Sequence, residues 1–247
     1  AMTGGSISLA TGSGVASTSG AVRIKTSDAG TTGVSGSIVF STGTTSSGSS
    51  GLVKISTGNA VTGRTGNIVL SVGQGTVDTG GDVIATSGDT TAQTGGSISL
   101  STGTGTVKSS GSVVVRSSNA GTLGVSGFLK FTSGTTSSGS SGAIVIATGA
   151  ATVGKGGDIL LSVGAGTASI GGHVRVSAGN IDDTTGGSVS LSTGHGSTKS
   201  SGGVVIKTYD AGTLGVSGGL IFSTGTTSSG ASGMTKISTG NAAGGKA

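Results

Sequence analysis

Apolar and polar residues alternate along the chain in a short pattern that returns without interruption. A glycine is followed by Ile, Val or Leu at its second position, by Leu, Ile, Phe or Val at its fourth, and by Thr or Ser near its sixth. We call this glycine the start glycine, number it zero, and call each recurrence a repeat unit. Two-residue alternation rich in β-branched side chains predicts a β-strand, and the glycine density argues against a helix.

The spacing of the start glycines contains a second, longer period. They are Gly5, Gly20, Gly36, Gly51, Gly66, Gly81, Gly96, Gly111, Gly127, Gly142, Gly157, Gly172, Gly187, Gly202, Gly218 and Gly233. Five steps in every six are 15 residues and one is 16, so the whole arrangement repeats every 91 residues. This predicts superrepeats at 3–93 and 94–184 and a partial one at 185–247, with residues 1–2 interpreted as a cloning remnant or an excision boundary.

The short period predicts an all-β fold, a parallel β-solenoid of about 16 coils in a single domain spanning residues 1–247. Positions two and four are expected to face inward, with Phe40, Phe131 and Phe222 as the largest core side chains. Coils stacked about 4.8 Å apart would give a rod roughly 75 Å long. Glycines are expected at corners because they reach positive φ, and position six is expected to form a column of hydroxyl groups.

The 16-residue repeat unit occurs once in each superrepeat. Its second half reads "SDAGTTGVS", "SNAGTLGVS" and "YDAGTLGVS" in the three copies. Asp28, Asn119 and Asp210 lie where the side chain of an Asx turn could accommodate the additional residue. We therefore expect a bulged corner at this place in every superrepeat.

Composition limits the classes of function. The chain has 55 Gly, no Cys and no Pro, and a Gly/Ser/Thr-rich chain of this kind could be a disordered linker, although the periodic aliphatic residues favour a folded one. A net charge of +5, spread thinly and accompanied by few aromatic rings, does not indicate nucleic-acid binding. No segment has the length and hydrophobicity of a membrane span, and the chain does not open on a signal peptide.

Residues with catalytic or metal-binding chemistry are few and scattered. His173 and His195 occupy different positions of the repeat and are interpreted as surface residues. Asp182 and Asp183 are the weak candidates for a metal site, because an acidic pair could bind a cation but further oxygen ligands are missing. The Gly-x-Gly fragments do not open helices. We therefore predict no enzyme, no catalytic residues and no cofactor.

The 15-residue unit and the Thr and Ser content resemble the small β-solenoid antifreeze proteins of insects and grasses. That resemblance implies a flat ice-binding face with two outward ranks of Thr. The outward positions three and five do not keep such ranks here, because charged residues such as Arg23, Lys25 and Lys54 interrupt them. Ice binding by a Ser/Thr-rich face is the alternative function.

Phrases such as "GGSVSLSTG" resemble the long Gly/Ser/Thr-rich repeat proteins of microalgae such as diatoms, and the likeness covers the whole chain. The resemblance implies an extracellular or cell-surface structural or adhesive protein. The recurrence of surface residues every 91 positions suits multivalent contact. We expect self-association, end to end into filaments or laterally, with surface glycans or other matrix as further partners.

Overall fold

The computed structural model describes residues 4–15, 18–77, 79–167, 170–182 and 184–241, and these residues form neither a helix nor a β-strand. The predicted all-β fold, a parallel β-solenoid of stacked coils, is therefore wrong for the described part of the chain. The repeat itself is visible in the backbone, where it controls the position of bends and turns.

The backbone changes direction at the same place in every repeat unit whose loop is described. In the 15-residue units it bends at positions ten to twelve, and in the 16-residue units it turns at positions eleven and twelve. The bends and turns of the described residues lie at 15, 31–32, 46–48, 61–63, 76–77, 91–93, 106–108, 122–123, 137–139, 152–154, 167, 182, 184, 197–199, 213–214 and 228–230. The sequence period is thus realised as a period of local conformation.

The structure consists of two segments, of which the first is Ala1–Arg116. Among its described residues only Thr26 is partly covered, and all others are exposed. The segment contains one turn closed by a backbone hydrogen bond, from the Gly33 N–H to the Gly30 carbonyl (3.4 Å). It also contains Gly48, whose φ of 122° is in a region that L residues rarely adopt.

The second segment, Ser117–Ala247, repeats the same local structures twice. Turns are closed by the Gly124 N–H on the Gly121 carbonyl and by the Gly215 N–H on the Gly212 carbonyl. Gly139 has a φ of 113°. Gly230 has a φ of 124°. The partly covered residues among those described here are Ser117, Ala178 and Gly196.

The start glycine lies close to the side chain at position six of the preceding unit, and the approach is tightest at Gly172 and Gly81. A methyl group placed on any start glycine from Gly20 to Gly233 would lie 2.6–3.7 Å from the nearest atom, which in nearly every case belongs to the side chain at position six of the preceding unit. The Thr11 hydroxyl donates to the Gly20 carbonyl (3.1 Å), and the Thr26 hydroxyl donates to the Gly36 carbonyl (3.0 Å). Glycines were expected at corners with positive φ; among the described residues Gly48, Gly139 and Gly230 adopt it, and none of the start glycines does.

These contacts also give the physical reason why the solenoid prediction fails. A stacked ladder joins residues one coil apart, which here means 15 or 16 positions. The observed hydrogen bonds join residues nine or ten positions apart for Thr11 and Thr26, and eight for the bond from the Gly96 N–H to the Gly88 carbonyl (2.9 Å). In the units that make these bonds, the loop is therefore closed on itself by contacts between residues eight to ten positions apart.

The predicted core is also absent from the described residues, where no hydrophobic side chain is buried. Phe40, Phe131 and Phe222 are exposed. The aliphatic residues of positions two and four are likewise exposed, although position two is the more shielded of the two in most units, Ile7 and Val113 being exceptions. Alternation along the chain thus survives as a difference in exposure, without the burial that we expected from it.

Candidate functional site

The residues that could carry chemistry are separate and exposed. His173 and His195 are both on the surface, and Asp182 is exposed at a bend. Asp183, the other candidate for a metal ligand, lies outside the described residues. Within the described ranges there is no group of three or more His, Cys, Asp or Glu that could hold a metal ion, and no pocket is found there.

Two charged contacts are found among the described residues, and neither forms part of a site. The Lys155 Nζ lies 2.9 Å from Asp158 Oδ1 and 3.0 Å from Oδ2, with both side chains largely in solvent. Such an exposed pair contributes at most about 1 kcal/mol. The Lys207 Nζ lies 4.8 Å from the centre of the Tyr209 ring, a cation–π contact on the surface. Each of the two contacts joins residues that are two or three positions apart in the chain, and among the described residues neither contact includes a further charged residue.

The 16-residue units carry the first structure that recurs at 91 residues. Their turns are closed by one backbone hydrogen bond each, Gly33 to Gly30 (3.4 Å), Gly124 to Gly121 (3.4 Å) and Gly215 to Gly212 (3.2 Å). The Asx turn expected at Asp28, Asn119 and Asp210 does not form. The additional residue is accommodated instead by this backbone turn, which begins two residues later.

The unit that follows carries the second recurring structure, a bend rich in serine. In the middle copy the Thr136 hydroxyl donates to the Ser138 carbonyl (3.0 Å) and accepts from the Ser138 N–H (3.3 Å). In the first copy the Thr45 hydroxyl donates to the Ser47 carbonyl (3.2 Å). In the third the Ser229 N–H donates to the Thr227 hydroxyl (3.3 Å). Each bend ends on a glycine with positive φ.

We call these two structures together the repeated turn surface. It comprises residues 30–33 and 45–48, 121–124 and 136–139, and 212–215 and 227–230. All of these residues are exposed and uncharged, and most are Gly, Ser or Thr. The surface can therefore exchange hydrogen bonds with a ligand through hydroxyl and peptide groups, but it has no charged group for acid–base catalysis or for an ionic ligand.

Sequence reasoning did not find the glycines with unusual backbone requirements. Gly48, Gly139 and Gly230 recur at 91 residues within "TTSSG", and a Ser-rich stretch ending on glycine is a recognisable turn signal. Gly105 and Gly196 are a second pair. A methyl group on either would come within 3.0 Å of backbone carbonyl groups at Lys108 and Ser109, or at Lys199 and Ser200.

Comparison with protein-family models, with curated protein sequences and with solved structures finds no match to this chain. Among the described residues there is no helix of sufficient length and hydrophobicity to cross a membrane.

Proposed function

We propose that this chain is a structural or adhesive repeat protein of the cell surface or extracellular space, which acts through many weak contacts and not through one site. The observation that carries the proposal is the repeated turn surface, in which the same turn and the same bend recur three times at 91-residue spacing. Repeating an exposed local structure does not strengthen binding at a single pocket. It does increase the avidity with which a chain is retained on a surface, because several equivalent contacts form on one chain.

The chemistry of the repeated turn surface supports a hydroxyl-rich ligand such as a surface glycan. Ser46, Ser137 and Ser228 occupy equivalent places in the three bends and are exposed. A hydroxyl group donates and accepts, as sugar hydroxyl groups do, so one such contact is weak and unselective. Several contacts held on one chain give avidity, because each later contact forms at a high effective concentration.

The test measures retention of the full chain on a polysaccharide-coated sensor while the three bends are altered one after another. Variants carry Ser137→Ala alone, then with Ser46→Ala, then with Ser228→Ala added. We expect retention to fall by more than the share of bends removed, and by roughly a hundredfold or more for the triple variant. A matched triple variant, Ser56→Ala, Ser71→Ala and Ser162→Ala, changes exposed serines outside the bends and should retain the wild-type behaviour.

Equal loss in the two triple variants would contradict the assignment to the bends, and absence of any retention on glycan or matrix coatings would remove the adhesive function. Ice binding, the alternative drawn from the sequence, gains no support from the described residues, since they contain no strand of the kind that the resemblance to β-solenoid antifreeze proteins implies. Thermal hysteresis measured on concentrated protein decides this alternative directly, and a clear hysteresis would replace our proposal.

End-to-end association into filaments stays a prediction. End-to-end pairing of a solenoid would use the unpaired strand edges at its two ends, and the described residues contain no strand that could present such an edge. Self-association as such needs a different surface, which the distribution of aliphatic residues supplies.

A further inference from the structure

The aliphatic side chains at positions two and four form the longest apolar series along the chain. Position two carries Ile, Val or Leu in every unit from Gly5 to Gly218, and position four is apolar in every unit. No Lys, Arg or Asp occupies either position anywhere in the chain. Position three, which lies between them, carries charge in several units, as at Arg23, Lys54, Lys130, Arg175 and Lys236. We call positions two and four together the aliphatic series.

The chain does not cover this series itself. Its accessible surface is 24829 Å². A folded monomer of 22.6 kDa exposes only about 9,500 Å². The excess is several times the roughly 1,600 Å² that a standard protein interface buries. This excess is total surface, polar and apolar together, and the side chains of the aliphatic series contribute to it because none of them is buried. Exposed apolar side chains that recur along a chain are candidates for an interaction site.

Position two is partly shielded and position three is not, even within one repeat unit. The exposed fractions are 59% for Val113 against 76% for Val114, 55% for Ile144 against 82% for Val145, and 52% for Ile159 against 86% for Leu160. Position two therefore already faces other atoms of its own chain. A partner that covers the remaining exposed part of the position-two side chain extends an apolar contact that this side chain already makes with its own chain. A partner that covers position three would instead bury charged side chains in several units.

We infer that the aliphatic series is covered by the aliphatic series of a second copy of this chain. The period identifies the partner, because only a chain with the same spacing can make the same apolar contact in one unit after another. The contacts then add up along the chain, as in any multivalent pair. This inference rests on the proposed structural function and specifies its partner. The hydroxyl groups of the repeated turn surface lie outside the series and stay available for other ligands.

Matched variants in three repeat units test which positions form the contact. One carries Val113→Ser, Ile144→Ser and Ile159→Ser at position two, and the control carries Val114→Ser, Val145→Ser and Leu160→Ser at position three of the same units. Sedimentation of the full chain over a wide concentration range measures association. We expect the dissociation constant to rise about tenfold per position-two side chain, and to change little in the control.

Crosslinking gives a second measurement that does not depend on association energies. The chain has no cysteine, so Val113→Cys and Val114→Cys each introduce a single thiol. Under mild oxidation we expect Val113→Cys to form disulfide-linked dimers faster than Val114→Cys, because the second copy brings the equivalent position two close. Equal rates would contradict the inference.

The remaining outcomes separate this inference from the proposed function. A wild-type chain that stays monomeric at all concentrations overturns the second-copy contact, and if it is still retained on glycan coatings the adhesive function stands. Association weakened equally by both triple variants also overturns the assignment to the aliphatic series. Association that depends on position two in a chain that adheres to nothing supports the contact and removes only the adhesive role.

Discussion

Two neighbouring parts of the second segment reverse the chain by different means. At residues 121–124 a backbone hydrogen bond closes the turn, and no residue there adopts a positive φ. At residues 136–139 the Thr136 hydroxyl bonds the backbone of Ser138, and Gly139 takes a φ of 113°. Both recur at 91-residue spacing. The difference shows that the long repeat specifies the conformation of each loop individually, while the short repeat specifies only where a loop occurs.

The largest effect is expected from Gly139→Ala, since alanine is strained at this φ whatever space surrounds it. An unfavourable backbone conformation costs about 1–3 kcal/mol, which is enough to depopulate an isolated bend. Backbone chemical shifts of Thr136 and Ser138 should move toward values for a chain without the bend. The equivalent bend at Gly48 is unaltered in the same molecule and serves as an internal control. Unchanged shifts at Ser138 would show that glycine is not needed there.

An intermediate effect is expected from Thr136→Val, which keeps the shape of the side chain and removes its hydroxyl group. Both hydrogen bonds with Ser138 are lost, and at an exposed position the cost is about 0.5–1.5 kcal/mol. Faster amide hydrogen exchange at Ser138 would report this loss. Thr135→Val is the matched control and should leave that exchange rate as it is. If both variants behave alike, the Thr136 hydroxyl does not hold the bend.

The smallest effect is expected from Gly124→Ala in the other loop. The new methyl group would lie 3.5 Å from the Ala120 Cβ, which is an ordinary contact, and φ lies outside the strained region. The free energy of the turn should change by no more than about 0.5 kcal/mol. The temperature coefficient of the Gly124 amide proton measures whether its bond to Gly121 persists. If the turn is destabilised by Gly124→Ala as strongly as the bend is by Gly139→Ala, the two loops do not differ in their need for glycine.

The positions of the loops could be predicted from the sequence, whereas the strands predicted between them are absent from the described residues. The 15-residue spacing placed the loops between the apolar phrases, and bends are found there in every unit with described loop residues. The 16-residue unit was expected to differ at one corner, and it does, although the turn lies at Gly30 to Gly33 and not at Asp28. These features depend on residues close together in the chain, which is why a sequence pattern reveals them.

The candidate surface was predictable only in part. Recurrence of "TTSSG" indicated that a surface structure repeats, but not that Gly48 and its equivalents adopt a positive φ. The metal candidates, Asp182 and Asp183, were chosen because they are adjacent in sequence, and Asp182 is an exposed residue outside any larger acidic group among those described. Adjacency places two carboxylates near each other, but a metal site needs ligands from further along the chain.

The sequence by itself determined the two periods, the alternation of aliphatic and polar side chains, and the places where the backbone bends. Only the tertiary structure decided which groups meet. The side chain at position six lies against the next start glycine, and in some units its hydroxyl group bonds across a loop of nine or ten residues. Among the described residues no ladder joins units 15 residues apart. The physical reason is that periodicity specifies only the spacing of residues along the chain. Pairing depends on which hydrogen-bond partner each hydroxyl and peptide group can reach at the lowest cost in chain entropy, and a shorter loop costs less to close.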